Sequence, residues 1–249
     1  MAKEYQINHQ VLYYEGDITN QMTMAMLLNV LVLASEGQSR FLGVGHEVLG
    51  QDDLGWVVTS YSIDVVRMPK VDENITITTE GTSYNRFFAF RKFWINDQAG
   101  NRIVQVQSIW VMINEKTRKL VSIPTEIVAA YESEAVKRIP RLPKPTTLAE
   151  ITEQKRYQVR YSDIDFNGHV NNAHYLEWVA DTLPLTFLAT HTPEHIDIRF
   201  ENEVRYGEMI DSHLQLIKNE EQTISRHEIK DGETVSANAE IKWRSTEKG

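Results

Sequence analysis

The sequence predicts an α+β fold built twice from one kind of unit, each unit a long helix packed on an antiparallel sheet. Three observations predict it. The chain repeats itself internally, each copy places one helix ahead of a run of strands, and a proline-rich segment separates the copies. Shifted by 148 residues, Val11-Leu12-Tyr13 falls on Val159-Arg160-Tyr161, Asp17 on Asp165, Ala25 on Ala173 and Leu28 on Leu176. Shifted by 139, Val57 falls on Ile196, Thr59 on Ile198, Tyr61 on Phe200, Asp64 on Glu203, Asp72 on Asp211, Ile75 on Leu214 and Ile77 on Leu216. Trp110 and Trp243 close the two units.

In order, each copy opens with a strand, Tyr5 to Tyr14 and Lys155 to Tyr161. A helix follows, about Thr23 to Glu36 and Asn172 to Leu183. The first is apolar nearly all round, as in a helix enclosed on most sides. In the second, Ala173, Leu176, Val179, Ala180 and Leu183 form one apolar stripe at helical spacing, and Pro184 stops it. Strands are then expected at 55–66, 74–82, 87–96 and 102–113, and in the second copy at 196–206, 212–218, 223–229 and 234–243. Asp97-Gln98-Ala99-Gly100 and Lys230-Asp231-Gly232 are the turns between paired strands. Pro140, Pro143 and Pro145 stand among Lys137, Arg138, Arg141 and Lys144, which reads as an extended, semi-rigid linker. The expected organisation is a first unit at 1–131, a linker at 132–147 and a second unit at 148–249.

Composition narrows the function. Of the 249 residues 41% are hydrophobic and 24% charged, enough to bury a proper core. The absence of cysteine excludes disulfides, zinc–thiolate sites and a cysteine nucleophile. A net charge of −9 argues against nucleic-acid binding, which needs lysine and arginine to neutralise phosphates. MAKEYQINHQ has neither the basic start nor the apolar stretch of a signal peptide, and no apolar run spans a bilayer, so a cytoplasmic protein without a membrane segment is expected. His191 and His195 flank Pro193, which disfavours one shared helical face, and no metal is expected. Gly43 and Gly45 lack the context of a dinucleotide site.

The segment from Tyr161 to Asn172, YSDIDFNGHVNN, packs acid, amide and imidazole between a strand and a helix. Polar groups crowded into such a loop point to chemistry. Asn171 suits a helix N-cap, and a helix start offers N–H groups and partial positive charge to a carbonyl that becomes an oxyanion. The bland reading is a tight turn in which Asp and Asn cap the helix.

With its SDIDFNGHVNNAHYLEWV at 162–179, GWVVTSYSIDVVRMPK at 55–70 and SIWVMINEKTRKLVSIP at 108–124, the chain resembles the acyl-acyl carrier protein (acyl-ACP) thioesterases of plants and bacteria over nearly its whole length. The third block is the more selective, because single-unit hotdog thioesterases lack it. The resemblance implies two hotdog folds in one polypeptide. It also implies hydrolysis of fatty acyl-ACP to free fatty acid and carrier, with no cofactor. It places the catalytic groups on Asp165, Asn167, His169 and Glu203. Some members carry a cysteine after that glutamate; Val204 stands here, so no thiol takes part. Asp165 or Glu203 can act as base while the other orients His169 or attacks directly.

In the first copy Thr19 and Gln21 replace Asn167 and His169, so one active site is expected, in the second copy, with the first supplying the acyl pocket. Met22, Met24 and Met26 are candidates for that pocket or for ordinary core. The expected partners are the acyl carrier protein and its fatty acyl chain. The acidic carrier would dock on Lys137, Arg138, Arg141 and Lys144, or on Lys116, Arg118 and Lys119. A tandem already supplies the pairing that single hotdogs obtain by dimerising, and a homodimer of the whole chain stays open. A coenzyme A thioesterase and a non-catalytic acyl-binding module are the alternatives.

Overall fold

The computed structural model describes residues 2–165 and 168–246. In the first copy β1 (Glu4–Gln10) is followed by α1 (Met24–Phe41) and the short α2 (His46–Leu49). Then come β2 (Leu54–Val65), β3 (Asn74–Tyr84), β4 (Phe88–Asn96), β5 (Arg102–Asn114) and β6 (Lys119–Val121). After α3 (Thr125–Ala130) and β7 (Glu134–Ala135), the second copy contributes β8 (Glu153–Gln158), α4 (Asn172–Asp181) and α5 (Leu185–Thr190). It ends with β9 (His191–Phe200), β10 (Met209–Lys218), β11 (Thr223–Asp231) and β12 (Thr234–Ser245).

The strands form one sheet in the order β1-β3-β4-β5-β2-β9-β12-β11-β10-β8, with β6 paired to β5 and β7 to β3. Read from either end, each half follows the same path: first strand, third, fourth, fifth, second. The halves join where β2 and β9 run antiparallel, from Ser60 opposite Arg199 to Asp64 opposite His195. Helices α1 and α4 touch each other, and one core joins them to strands of both copies through Leu27, Leu31, Ile63, Leu176, Ile196 and Ile241. This is the tandem α+β arrangement that the repeat predicts and the double hotdog that the resemblance implies.

Local chemistry sets the helix ends. Thr23 Oγ1 accepts the Met26 N–H, and Asn171 Oδ1 accepts the Ala173 N–H, so each long helix starts on a side-chain cap. The stop of α1 is Gly43, at φ +73°, where the Gly43 and Val44 N–H groups close back on the Arg40 and Ser39 carbonyls. Pro184 ends the α4 segment as expected, and it also opens α5 as its N-cap residue, a second helix that the stop signal alone does not announce.

Several boundaries differ from expectation. The first strand ends at Gln10 and turns through a 3-10 segment at Tyr13–Glu15. Strand β9 starts at His191 and ends at Phe200, so Glu203 lies just past its end instead of on it. The 148-residue offset holds through the opening strand, the turn and the helix start: Glu15 Oε2 accepts the Leu12 N–H as Asp163 Oδ2 accepts the Arg160 N–H. The later offset is 135, not 139. Val58 pairs with Trp110 just before a bulge, and Pro193 pairs with Trp243 just before the corresponding bulge. Asp64 therefore corresponds to Arg199, and Met68 to Glu203. At this offset Ser62 corresponds to Asp197, and these two face each other directly, so a pseudo-twofold axis passes between them.

Past β7, residues 136–148 run without regular pairing. Val136, Ile139, Leu142, Pro145 and Leu148 are half-buried, and every residue between them is exposed. A three-residue period is that of a polyproline II helix with one side laid on the protein. Among the described residues no helix is long and apolar enough to cross a membrane.

Candidate active site

The segment before α4 closes on itself. The Asp165 N–H donates to the His169 carbonyl (2.7 Å), the Gly168 N–H to the Asp165 carbonyl (3.0 Å), and the His169 N–H to Asp165 Oδ1 (3.3 Å). Gly168 sits at φ +80°, where its lack of Cβ is required. The first copy makes the same turn: Asp17 N–H donates to the Gln21 carbonyl, Asp17 Oδ1 accepts the Thr19 N–H, and Asn20 takes the left-handed position at φ +60°. An aspartate stands in both copies because it closes this turn. Closing the turn is thus part of what Asp165 does. Asn171 caps α4 and also donates from Nδ2 to Asn29 Oδ1 on α1 (3.1 Å), which ties the loop to the other copy.

His169 and Glu203 come together: His169 Nε2 lies 3.7 Å from Glu203 Oε2, both partly exposed. That gap is longer than a hydrogen bond. Glu203 is held from behind by Val204, which is buried, and by the hydroxyl of Tyr175 on α4, which hydrogen-bonds the Val204 backbone. Burial pushes the Tyr175 phenol well above its ordinary pKa, so it stays protonated. Asn167 lies outside the described residues.

A cavity of about 330 Å³ opens over these groups, lined by Asp165, His169, Asn171, Glu203 and the first turn of α4. It shares Val32, Gly55, Trp56, Trp110, Glu115, Asp165 and Asn171 with a second cavity of about 290 Å³. Apart from Ser133, Asp165 and Asn171, the described residues that line the second cavity all come from the first copy, including Val44, Leu49, Leu54, Ala89, Phe90 and Val128. Its wall also carries the buried Arg91, whose Nη1 donates to Gln38 Oε1 (2.6 Å) and Thr79 Oγ1 (2.8 Å) and whose guanidinium faces the Tyr131 ring. The methionines lie elsewhere: Met22 and Met24 are buried core residues, and neither cavity touches Met22, Met24 or Met26.

Met22 and Met24 instead line a third cavity, the pseudo-twofold counterpart of the first. There Asp17 stands for Asp165, Gln21 for His169, Met68 for Glu203 and Trp243 for Trp110. At those positions it keeps the turn carboxylate and has neither the imidazole nor the second acid, although Glu177, Asp181 and His191 line it elsewhere. Among the described residues no cluster of three or more His, Asp or Glu could hold a metal ion. His195 is engaged by Asp64 (2.7 Å) and Asp197 (3.0 Å).

One contact escaped the sequence reading. Arg118, expected only as a docking candidate, places Nη2 on Glu203 Oε1 in an ion pair between the copies. The only signal for it was its position inside the selective SIWVMINEKTRK block.

The sequence pattern of the acyl-ACP thioesterase N-terminal domain matches residues 2–131, and that of the C-terminal domain matches residues 147–245. An acyl-[acyl-carrier-protein] hydrolase of Cuphea viscosissima is 26% identical over 212 residues, covering 80% of this chain and 52% of its own length. An oleoyl-acyl carrier protein thioesterase of Coriandrum sativum is 24% identical over 221 residues, covering 80% and 59%. The chain thus spans about half the length of such plant relatives. A Lactobacillus plantarum crystal structure assigned as an oleoyl thioesterase is 44% identical, with a TM-score of 0.96 over 99% of this chain and 98% of that one. The 12:0-ACP thioesterase of Umbellularia californica shares the fold at 20% identity, with a TM-score of 0.85 over 98% and 94%. With both of its halves matched in order, this chain belongs to the acyl-ACP thioesterase family.

Proposed function

We propose that this protein hydrolyses fatty acyl-ACP to free fatty acid and holo carrier in the cytoplasm, ending or diverting fatty acid synthesis. The observation that carries the reading is the meeting of His169 and Glu203 over a cavity that continues into a largely first-copy chamber. The acyl chain lies in that chamber, and the thioester carbonyl sits beside His169, Glu203 and the start of α4. Water attacks the carbonyl carbon, and its proton passes to a carboxylate or the imidazole. The oxyanion faces the positive end of α4. Collapse breaks the C–S bond and expels the carrier's thiolate, which leaves easily and needs little acid assistance. Glu203 is the better placed carboxylate, because Asp165 Oδ1 already closes its turn. In this reading residues 1–131 shape the pocket, 132–147 connect, and 148–249 carry the single site, Asn167 included.

The test is hydrolysis by purified protein of an acyl-ACP series against the matching coenzyme A thioesters. The reading expects free fatty acid, with kcat/KM higher for the carrier series. Equal or better rates on coenzyme A would reassign the substrate, and binding without turnover would make the protein an acyl-binding module.

A further inference from the structure

We propose that Arg118 is a positioning residue of the hydrolytic site, supplied by the first copy to the carboxylate of the second; this rests on the hydrolase reading above. Glu203 has two oxygens with different neighbours. Oε1 meets the Arg118 guanidinium, and Oε2 faces His169 Nε2 at 3.7 Å. Glu203 lies beyond the end of β9, where no ladder fixes its side chain. With Oε1 held, the carboxylate plane is set and Oε2 is presented to the imidazole and to attacking water.

The turn that carries Arg118 is built for this reach. Residues 115–118 join β5 to β6, and Arg118 itself sits at φ +58°, a left-handed backbone that a side-chain-bearing residue seldom adopts. The strain is held by three bonds. The Arg118 N–H donates to the Asn114 carbonyl (2.8 Å), the Thr117 N–H to Asn114 Oδ1 (2.8 Å), and the Glu115 N–H to the Asp53 carbonyl (2.7 Å). Lys116 pairs with Asp53 at 2.9 Å and anchors the turn's other side. Glycine would relieve the backbone but would remove the guanidinium.

Charge points the same way. Among the described residues lining the cavity, Arg118 is the one lysine or arginine, against Glu115, Asp165, Glu201 and Glu203. Glu201 is already paired with Arg199 (2.6 Å). Lys116 and Lys119 are exposed neighbours suited to a docking role, whereas Arg118 is turned inward and partly buried.

The test compares R118Q, R118K, E203Q and R118Q/E203Q on one acyl group carried either by the carrier protein or by a short pantetheine-like thiol. Positioning predicts that R118Q lowers kcat about 10- to 10²-fold on both substrates with KM for the short thioester unchanged, the scale of a misplaced catalytic group. R118K should lose less, added guanidinium ion below denaturing concentrations should restore part of the R118Q rate, and R118Q/E203Q should be no slower than E203Q. If R118Q does not fold, R118K carries the comparison alone, and an unchanged kcat there overturns the proposal. So does a folded R118Q of wild-type kcat, a loss confined to KM for the carrier-bound substrate, or losses that multiply in the double variant. A wild type that hydrolyses neither substrate overturns the hydrolase reading and the role of Arg118 with it, which separates the two failures.

Discussion

At the scale of single residues, the site is a small set of groups held by ordinary contacts. If His169 and Glu203 share the chemistry, His169→Ala and Glu203→Ala each lower turnover by at least ~10²-fold, the usual scale for acid–base groups. Steady-state rates on folded variants check this, and near-normal turnover in either removes that residue from the mechanism. A second prediction concerns a histidine far from the site. His227 is wholly buried against Ser225 and Thr182, and burial pushes its pKa down to about 3. Its folded value lies below its unfolded one, so its contribution to stability is present above about pH 6.5 and is lost as pH falls from there toward 3. His195 pulls the other way: bonds to Asp197 and Asp64 raise its pKa, so its contribution is full at low pH and fades as pH rises through that raised value. His227→Gln should therefore flatten the acid loss of stability. Urea midpoints for both proteins from pH 7 to pH 4.5 decide it, and a constant difference between them would refute the assignment.

At the scale of elements, the two helix starts offer a matched comparison. Thr23 and Asn171 both cap a long helix, but only Asn171 lines the two cavities and bonds across to Asn29. Thr23→Ala and Asn171→Ala should each cost about 1 kcal/mol of stability. Only Asn171→Ala should also lower kcat, and equal effects on kcat would mean that the cap acts through stability alone. The elements were largely legible in the sequence, because caps, prolines and apolar stripes act locally. The strand register was not. Offsets of 135 and 139 differ by an even number, and an even slip keeps every side chain on its own face, so alternation cannot tell them apart. The bulges beside Val58 and Pro193 and the pairing of each copy's first and third strands fix the choice, and no residue type announces them. For the same reason the sequence aligns Glu203 with Asp64, whereas the fold sets Met68 in its place. His169 was legible as part of one dense loop. The Arg118–Glu203 contact spans 85 residues between two folded halves, and no local pattern encodes it.

At the scale of the whole molecule, the segment between the copies carries the carrier-docking proposal. It leaves the first copy where β7 pairs with the end of β3, and Tyr131 and Ser133 just before it line the chamber wall. Its apolar residues face the protein every third position, which leaves Lys137, Arg138, Arg141 and Lys144 exposed. Reversing Lys137 and Arg138 to glutamate should raise the apparent KM for an acidic carrier's thioester and hardly change that of a short thioester. Salt should narrow the difference, since exposed charges are screened within ~8–10 Å. Kinetics unchanged by reversal here and at Lys116 and Lys119 would place docking elsewhere.

Ser62 and Asp197 face each other on the pseudo-twofold axis, where a symmetric dimer of single units would allow no difference between the two sides. Two identical units meeting through this strand would set each on-axis residue against its own twin. A unit bearing aspartate there would bring two buried carboxylates face to face, and like charges directly opposite destabilise a sheet. Within one chain the two sides are free to differ: Ser62 stands on one, and on the other stands Asp197, whose carboxylate is served by His195 at 3.0 Å. The same freedom from self-complementarity allows His169 at one mouth and Gln21 at the matching position of the other. Making the axis a matched pair, with Ser62→Asp, would set two carboxylates face to face within a single chain.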